Sequence, residues 1–438
     1  MPGTFSGGIH PPEKKGITEE VEFSNLSIPT VCYLPVQQHI GKPARPLVEV
    51  GDTVEEGQLV AESDGFISAN VHAPVSGKVT EIAEHPGIYP VQTTIVIESE
   101  GSFSSSHPVV NADIDFLSKE DIISRIRSAG IVGLGGAAFP TAVKLSPPEG
   151  KTVDLLIING AECEPYLTVD DVLMRTCPDE IIEGIRITLR ALGVDRAVIG
   201  IENNKPKAVS ILAGAVEKAG LSETITVQGV KTKYPQGAEK QLIYTLTGRR
   251  VPAGGLPMDV GIVVQNVGTI YAIREAVMLE KPLYERYVTV SGSMIARPGN
   301  YKVRLGTRIS DIIEECGGLT GDPAKVVIGG PMCGLSVPTM DIPVVKGTSG
   351  ILFLSEKDVN LEDYTDCIRC GKCVQVCPMG MVPCDIGAAV ENERMDIAEE
   401  LNPYDCIMCG SCTYTCPAKR PLSHFIKLAQ QRLKSKRG

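Results

Sequence analysis

The stretch Gly133–Lys144, "GLGGAAFPTAVK", sets Gly133, Gly135 and Ala138 at the spacing of a dinucleotide fingerprint. Such a fingerprint works where a strand ends and a helix begins, because the turn then carries the phosphate to the helix amino terminus. Here the preceding segment, "KEDIISRIRSAG", has helical spacing and stops at Gly130, and the first clear strand begins after the loop, at Val153. A regular dinucleotide turn is therefore not expected. Gly133, Gly135 and Gly136 still expose backbone N–H groups to an anion. Pro140 suits the first turn of a following helix, whose amino terminus favours negative charge, and Lys144 lies about one turn further on.

Working outward, the buried strand "VDLLIING" runs directly into "NGAECEPYLTVDD", Asn159–Asp171. Open α/β sheets bind ligands at the carboxyl ends of their strands, so Glu162 and Glu164 are candidate site residues. "PDEIIEGIRITLRALG" opens on Pro178 and closes on Gly193. "RAVIGIE" and "ETITVQG" read as further strands. A helix follows Asn203-Asn204, and "GAEKQLIYTLTG" is another. Strands alternating with helices predict a parallel α/β domain over 111–285.

On the amino-terminal side, "LVEVGDTVEEGQLVAE" and "VHAPVSGKVTEI" resemble the two halves of a biotinyl/lipoyl-type β-barrel at about 40–100, within a region 1–110. Between the halves stands "SDGFISAN", a turn without the lysine a carrier domain needs, so a docking or scaffolding role is expected. "GSFSSSHP", from Gly101, has linker composition. Residues 286–345, with strands, a turn and one short helix, resemble a β-grasp, soluble-ligand-binding module.

Eight of the 14 cysteines fall in two runs. "CIRCGKCVQVCP" holds Cys367, Cys370, Cys373 and Cys377, and "CIMCGSCTYTCP" holds Cys406, Cys409, Cys412 and Cys416. This doubled C-x2-C-x2-C-x3-C-P spacing predicts two [4Fe–4S] clusters, with the fourth cysteine of each run crossing to the other cluster. Cys367, Cys370, Cys373 and Cys416 form one set; Cys377, Cys406, Cys409 and Cys412 form the other. Structural zinc would use two separated cysteine pairs instead. Cys32, Cys163, Cys177, Cys316, Cys333 and Cys384 read as small buried residues. This cluster domain spans 346–438 and ends in a basic segment. There Leu422, Phe425, Ile426, Ala429 and Leu433 share a helical face, which either packs on its own domain or docks on a partner or an acidic lipid surface.

The chain has 438 residues and a formal net charge of −11, which argues against a nucleic-acid role. No apolar run is long enough to span a bilayer, and the opening lacks the apolar core of a signal peptide, so a cytoplasmic setting is expected.

"GLGGAAFPTAVK", "NGAECEP", "YPQGAEKQ" and "VVQNVGT" occur here in the order found in the NADH- and FMN-binding subunit of respiratory complex I. With the β-domain, the β-grasp module, the doubled cluster motif and the opening "GGIHPPEKK", the whole chain resembles the C subunit of the Rnf electron-transport complex. The resemblance implies a Rossmann-like α/β domain binding non-covalent FMN, with NAD(H) as substrate. It places Gly133, Gly135, Gly136, Ala137, Phe139 and Lys144 at the flavin phosphate side. Asn159, Glu162 and Glu164, then Tyr234, Gly237 and Glu239, then Asn266 and Thr269 complete the flavin–nicotinamide site, with Phe139, Glu164 and Glu239 nearest the nicotinamide. Leu134, Ala161, Cys163 and Ala238 depart from the complex I pattern, so the exact NADH contacts of that subunit do not carry over. The implied role is an electron-transfer subunit of an ion-translocating ferredoxin:NAD oxidoreductase, held on the cytoplasmic face of the cell membrane by membrane and iron–sulfur partner subunits. Ferredoxin is reached indirectly, and no side chain is needed as a catalytic acid or base. A cobalamin reductase of bacterial microcompartments, a flavin-less electron-transfer adaptor and a ligand-sensing scaffold remain as alternatives.

Overall fold

Ser118 starts the α/β domain by accepting the Asp121 N–H, while the Asp121 carboxylate takes the Ser118 N–H, a reciprocal cap that fixes the first turn of α1 (Lys119–Ser128). The computed structural model describes residues 3–88, 91–101 and 114–437. The expected linker after Gly101 and the expected boundary at 110–111 lie outside the described residues.

After α1 and the one-turn helix α2 (Thr141–Lys144) come β1 (Leu155–Gly160), α3 (Val169–Thr176), α4 (Pro178–Leu192), β2 (Ala197–Glu202), α5 (Pro206–Lys218) and β3 (Ile225–Val230). The domain ends with α6 (Glu239–Thr247), β4 (Ile262–Asn266) and α7 (Val267–Met278). The strands lie in the order β3-β2-β1-β4, all parallel. Alternate side chains of β1 enter different cores. Leu156 and Ile158 pack with α1, α4 and α7, whereas Ile157 packs with Leu242, Ile243 and Leu246 of α6. Pro178 stands at the start of α4 and Gly193, at φ 68°, ends it as the sequence pattern requires.

The strand order reverses between β1 and β4, where Asn159 and Asn266 sit side by side at the carboxyl ends. This is the position at which an open parallel sheet offers a crevice for a ligand.

Two small antiparallel sheets make the amino-terminal β-domain. One has the order Val31–Pro35, Gln92–Ser99, Gly77–His85, Thr53–Val54; the other Arg45–Pro46, Leu59–Glu62, Val71–His72. Its core is continuous with that of the third domain: Cys32, Leu34 and Val79 pack in one cluster with Val288, Ile309 and Phe353. The third domain's six-stranded sheet differs from the expected 286–345 unit at both ends. Gly350–Leu354 is an inner strand of it, and Phe23–Asn25, from the start of the chain, pairs parallel with Gly299–Arg304 at its edge.

The cluster domain repeats itself. The helix Lys372–Gln375 in the first cysteine run corresponds to Ser411–Thr415 in the second. Arg369 and Met408, each just before the second cysteine of its run, both take left-handed backbone. Helices Pro383–Glu391 and Leu422–Arg437 follow the two runs, and Leu422, Ile426, Ala429 and Leu433 are buried. The apolar face of the basic helix is therefore spent within its own domain, against Ile386, Ala389 and Val390.

Candidate functional site

The glycine-rich loop is held by backbone and by two imported side chains. Gly133 N–H donates to the Phe139 carbonyl, and Ala138 N–H returns to the Gly133 carbonyl. Leu134 N–H donates to Thr269 Oγ1 at 2.8 Å, and the buried Arg286 guanidinium donates to the Leu134 carbonyl at 3.3 Å. Gly135, Gly136 and Ala137 form an exposed crest, and among the described residues their N–H groups take no hydrogen-bond partner. Gly136 has φ +114°, a conformation that an L side chain adopts only with strain. The loop thus presents free, fixed N–H groups where a phosphate would need them. Because α2 is a single turn, the expected help from its helix dipole is small, and the crest itself must supply the donors.

Lys144, at the end of α2, is paired with Glu239 at 2.6 Å; both are partly exposed. Phe139, two residues past the crest, is half-buried. Asn266 caps α7, accepting from Gly268 N–H at 2.9 Å, and donates to Asp170 at 2.7 Å. Asn159 donates to the Gly237 carbonyl at 2.8 Å. Asn159, Asn266 and Thr269 thus each hold a loop beside the carboxyl ends of β1 and β4.

The two glutamates of "NGAECEP" face different ways. Glu162 is buried, with its side chain 3% exposed, at φ 46°. It accepts the N–H of Asp170 at 2.7 Å, and so closes the start of α3. Burial raises its pKa to about 7, against the opposing pull of Lys15 and with further help from Asp170. Glu164 accepts the N–H groups of Met332 and Cys333, each at 3.0 Å, from a loop of the third domain. Burial raises its pKa also. Tyr234 places its hydroxyl 3.3 Å from Glu164, 3.0 Å from the Cys333 thiol and 2.8 Å from the Cys409 carbonyl. Gly237 N–H donates to the Cys163 thiol at 3.2 Å. Residues expected beside the nicotinamide thus divide. Phe139 and Glu239 stay near the loop, while Glu164 turns with Tyr234 toward the cluster domain.

Sequence reasoning missed the groups that hold this region together. Lys15, within the opening "PPEKKG", is buried. Its ammonium donates to the carbonyls of Glu162 at 2.9 Å, Glu164 at 3.0 Å and Leu167. Lys205, equally buried, donates to the Ala161 carbonyl at 2.7 Å. Lys205 lies in no recognisable motif, and within the opening "GGIHPPEKK" nothing in the sequence separates Lys15 from its exposed neighbour Lys14.

The cysteine runs supply the second half of the site. A recess in the cluster domain is lined by Cys377 of the first run and by Cys406, Cys409 and Cys412 of the second. Burial pushes the thiol of Cys406 up to about 11 and that of Cys412 up to about 12. Without a cation such thiols stay protonated, and iron binding would displace the protons. Among the described residues no three His, Cys, Asp or Glu side chains converge as on a single metal ion. Thiols arranged around a recess fit a cluster, whose own atoms stand between its ligands. Cys367 and Cys370 of the other set are exposed, and Cys384 lies beside Cys373 and Cys416.

Four family models match the chain in sequence order. They are an RnfC barrel sandwich hybrid domain at 3–102, a Nuo51 FMN-binding domain at 126–275, an SLBB domain at 287–336 and a 4Fe-4S dicluster domain at 360–417. The C subunit of the proton-translocating ferredoxin:NAD(+) oxidoreductase complex of Clostridium ljungdahlii is 48% identical, over 87% of this chain and 83% of the relative. Its counterpart in the Na(+)-translocating complex of Acetobacterium woodii is 44% identical over 99% of this chain and 98% of the relative. The C subunit of an ion-translocating oxidoreductase complex of Rhodobacter capsulatus is 43% identical over 88% and 75%. Among solved structures, a chain of an NAD+-reducing [NiFe]-hydrogenase in the H2-reduced state superposes with a TM-score of 0.53 at 22% identity, covering 76% of this chain and 64% of that one, a likeness of fold.

Proposed function

Because this chain belongs to the family of C subunits of ion-translocating ferredoxin:NAD(+) oxidoreductase complexes, we propose that it is the subunit where NAD(H) and the clusters of the complex exchange electrons. It works with the other subunits of that complex and uses FMN and two [4Fe–4S] clusters, as its FMN-binding and dicluster domains imply. FMN supplies the conversion between a hydride and single electrons, and the clusters carry those electrons onward.

The chain's own residues hold and separate these groups. The crest Gly135–Ala137 would hold the flavin phosphate with its N–H groups, and Lys144, paired with Glu239, would add a positive charge beside it. Gly133 and Phe139 shape the loop, and Thr269, Asn266, Asn159 and Gly237 fix its surroundings. Glu162 sets the start of α3, and Glu164 and Tyr234 stand between the crevice and the clusters. Cys367, Cys370, Cys373 and Cys416 hold one cluster and Cys377, Cys406, Cys409 and Cys412 the other. The recess that gathers Cys377 with three cysteines of the second run supports that crossing.

The finer descriptions belong to the same reading: biotinyl/lipoyl-like for the first domain, Rossmann-like for the second, β-grasp for the third and ferredoxin-like for the last. So do the boundaries near 110, 285 and 345, the last moved past Leu354 by the sheet pairing. Among the described residues no helix is long and apolar enough to cross a membrane; attachment through partner subunits, on the cytoplasmic face, belongs to the same reading.

The observation that carries this reading is the direct seating of a cysteine-lined recess on the domain that bears the glycine-rich crest, through the bond from Tyr234 to Cys409. The test is anaerobic reconstitution of the full chain with iron, sulfide and FMN, followed by NADH. Bleaching of the flavin and then paramagnetic signals of reduced clusters are expected. Intact clusters with no response to NADH would leave only an adaptor.

A further inference from the structure

We infer that the two cluster sites are unequal in place. The site of Cys377, Cys406, Cys409 and Cys412 is the inner one, fixed to the α/β domain by Tyr234 as its positioning residue. The site of Cys367, Cys370, Cys373 and Cys416 is the outer one. This rests on the cluster reading above and goes beyond it by giving the pair of sites a direction.

Ahead of the first cysteine run Asp358 bonds to Tyr166 and Ser293; from Cys367 onward, the contacts with the other domains among the described residues fall on one side. Tyr234 hydroxyl donates to the Cys409 carbonyl at 2.8 Å. Gly8 N–H donates to the Val376 carbonyl at 2.8 Å, and Gln241 reaches the Pro378 carbonyl at 3.4 Å. The Cys333 thiol lies 3.6 Å from the Met408 carbonyl. A Cβ on Gly410 would stand 2.8 Å from the Met332 carbonyl, so only glycine permits the third domain to approach this closely. Ile9, Tyr234, Cys409 and the partly buried Cys163, Met332 and Ile407 close the junction as an apolar cluster. Every one of these cluster-domain residues lies within two positions of Cys377, Cys406 or Cys409. The Cys367–Cys370 loop makes none of these contacts, and Cys367, Ile368 and Cys370 are exposed.

Tyr234 has one proton and two oxygen neighbours. The shorter bond, to the Cys409 carbonyl at 2.8 Å against 3.3 Å to Glu164, takes that proton. The network therefore offers the inner site an oriented dipole with its positive end toward a ligand's carbonyl. Hydrogen bonds and burial around the ligands are what set a cluster's potential. Removing the donor leaves the Cys409 carbonyl uncompensated and makes reduction of the inner cluster harder.

The test uses the anaerobically reconstituted full chain, wild type and Tyr234→Phe, with iron content and redox titration of the two cluster signals. With full iron in both proteins, the midpoint of one cluster falls in Tyr234→Phe and that of the other stays. A shift in neither, or in both equally, overturns the inference. A second measurement needs no variant. A soluble paramagnetic lanthanide chelate added to the reduced wild-type protein broadens the exposed signal more than the buried one, and the less broadened signal is the one that Tyr234→Phe moves. Equal broadening also overturns it. Absence of two cluster signals in the wild-type protein would instead sink the cofactor reading itself.

Discussion

Replacing Lys15 by methionine tests whether an ammonium under the "NGAECEP" loop holds the flavin domain's active edge in place. Methionine keeps most of the volume but leaves the carbonyls of Glu162, Glu164 and Leu167 without their charged donor, and leaves the Glu162 carboxyl, 3.9 Å away, without its cation. Breaking a buried pair by removing one partner costs about 3–5 kcal/mol. At ~2–4 °C per kcal/mol for a domain of this size, that lowers the melting transition of the α/β domain by about 6–20 °C. Lys14→Met, at the exposed neighbour, is the control and should stay within ~0.5 kcal/mol of wild type. The assay is scanning calorimetry of both variants, with flavin content after gel filtration as a second reading, because a loosened loop should also release the cofactor. If Lys15→Met melts with Lys14→Met, the ammonium is not holding the loop and the argument from its three carbonyls fails.

Lys144→Ala should leave the melting temperature nearly unchanged, since a half-exposed pair contributes ~0–1 kcal/mol. It should weaken FMN binding by the ~1.5–3 kcal/mol of a charged hydrogen bond, read as roughly tenfold or more in the dissociation constant by fluorescence titration. Thr269→Val removes the acceptor of the Leu134 N–H, so it should cost ~1–3 kcal/mol in calorimetry and raise hydrogen exchange in the glycine-rich loop; an unchanged exchange pattern refutes that tether. His39 is held neutral. Its Nε2 accepts the Ala69 N–H at 3.1 Å, and burial, then Lys346, lowers its pKa from 6.5 to about 4. The unfolded chain binds the proton first, so this term lowers stability as pH falls from about 6.5 toward 4 and is constant above that window. His39→Gln should flatten that part of the melting-temperature profile; an unaltered slope would contradict the burial argument.

The cysteine runs were legible because iron–sulfur ligation needs fixed spacing along the chain, and a local rule survives in the sequence. The alternation of strands and helices was legible for a similar reason: Pro178, Gly193 and the apolar runs act within a few residues of themselves. "GLGGAAFPTAVK" could be excluded as a regular dinucleotide turn from its neighbours alone, and α1 before the loop accords with that. The basic terminal helix admits two readings in sequence, since an apolar face at helical spacing does not say what covers it; packing of Leu422, Ile426, Ala429 and Leu433 on the cluster domain decides it.

What only the tertiary structure decided is how distant pieces meet. Lys15 and Glu162 are far apart in the chain, as are Tyr234 and Cys409, and Arg286 and Leu134. No periodicity links such pairs. Each contact exists because a buried polar group must find a partner wherever the fold brings one. The same requirement gives the buried Glu164 carboxylate the N–H groups of Met332 and Cys333, from a loop that no motif links to it. Sequence determined which chemistry the chain carries, through local spacing and local capping. The satisfaction of buried charges and carbonyls across domains determined how those chemistries are set against one another.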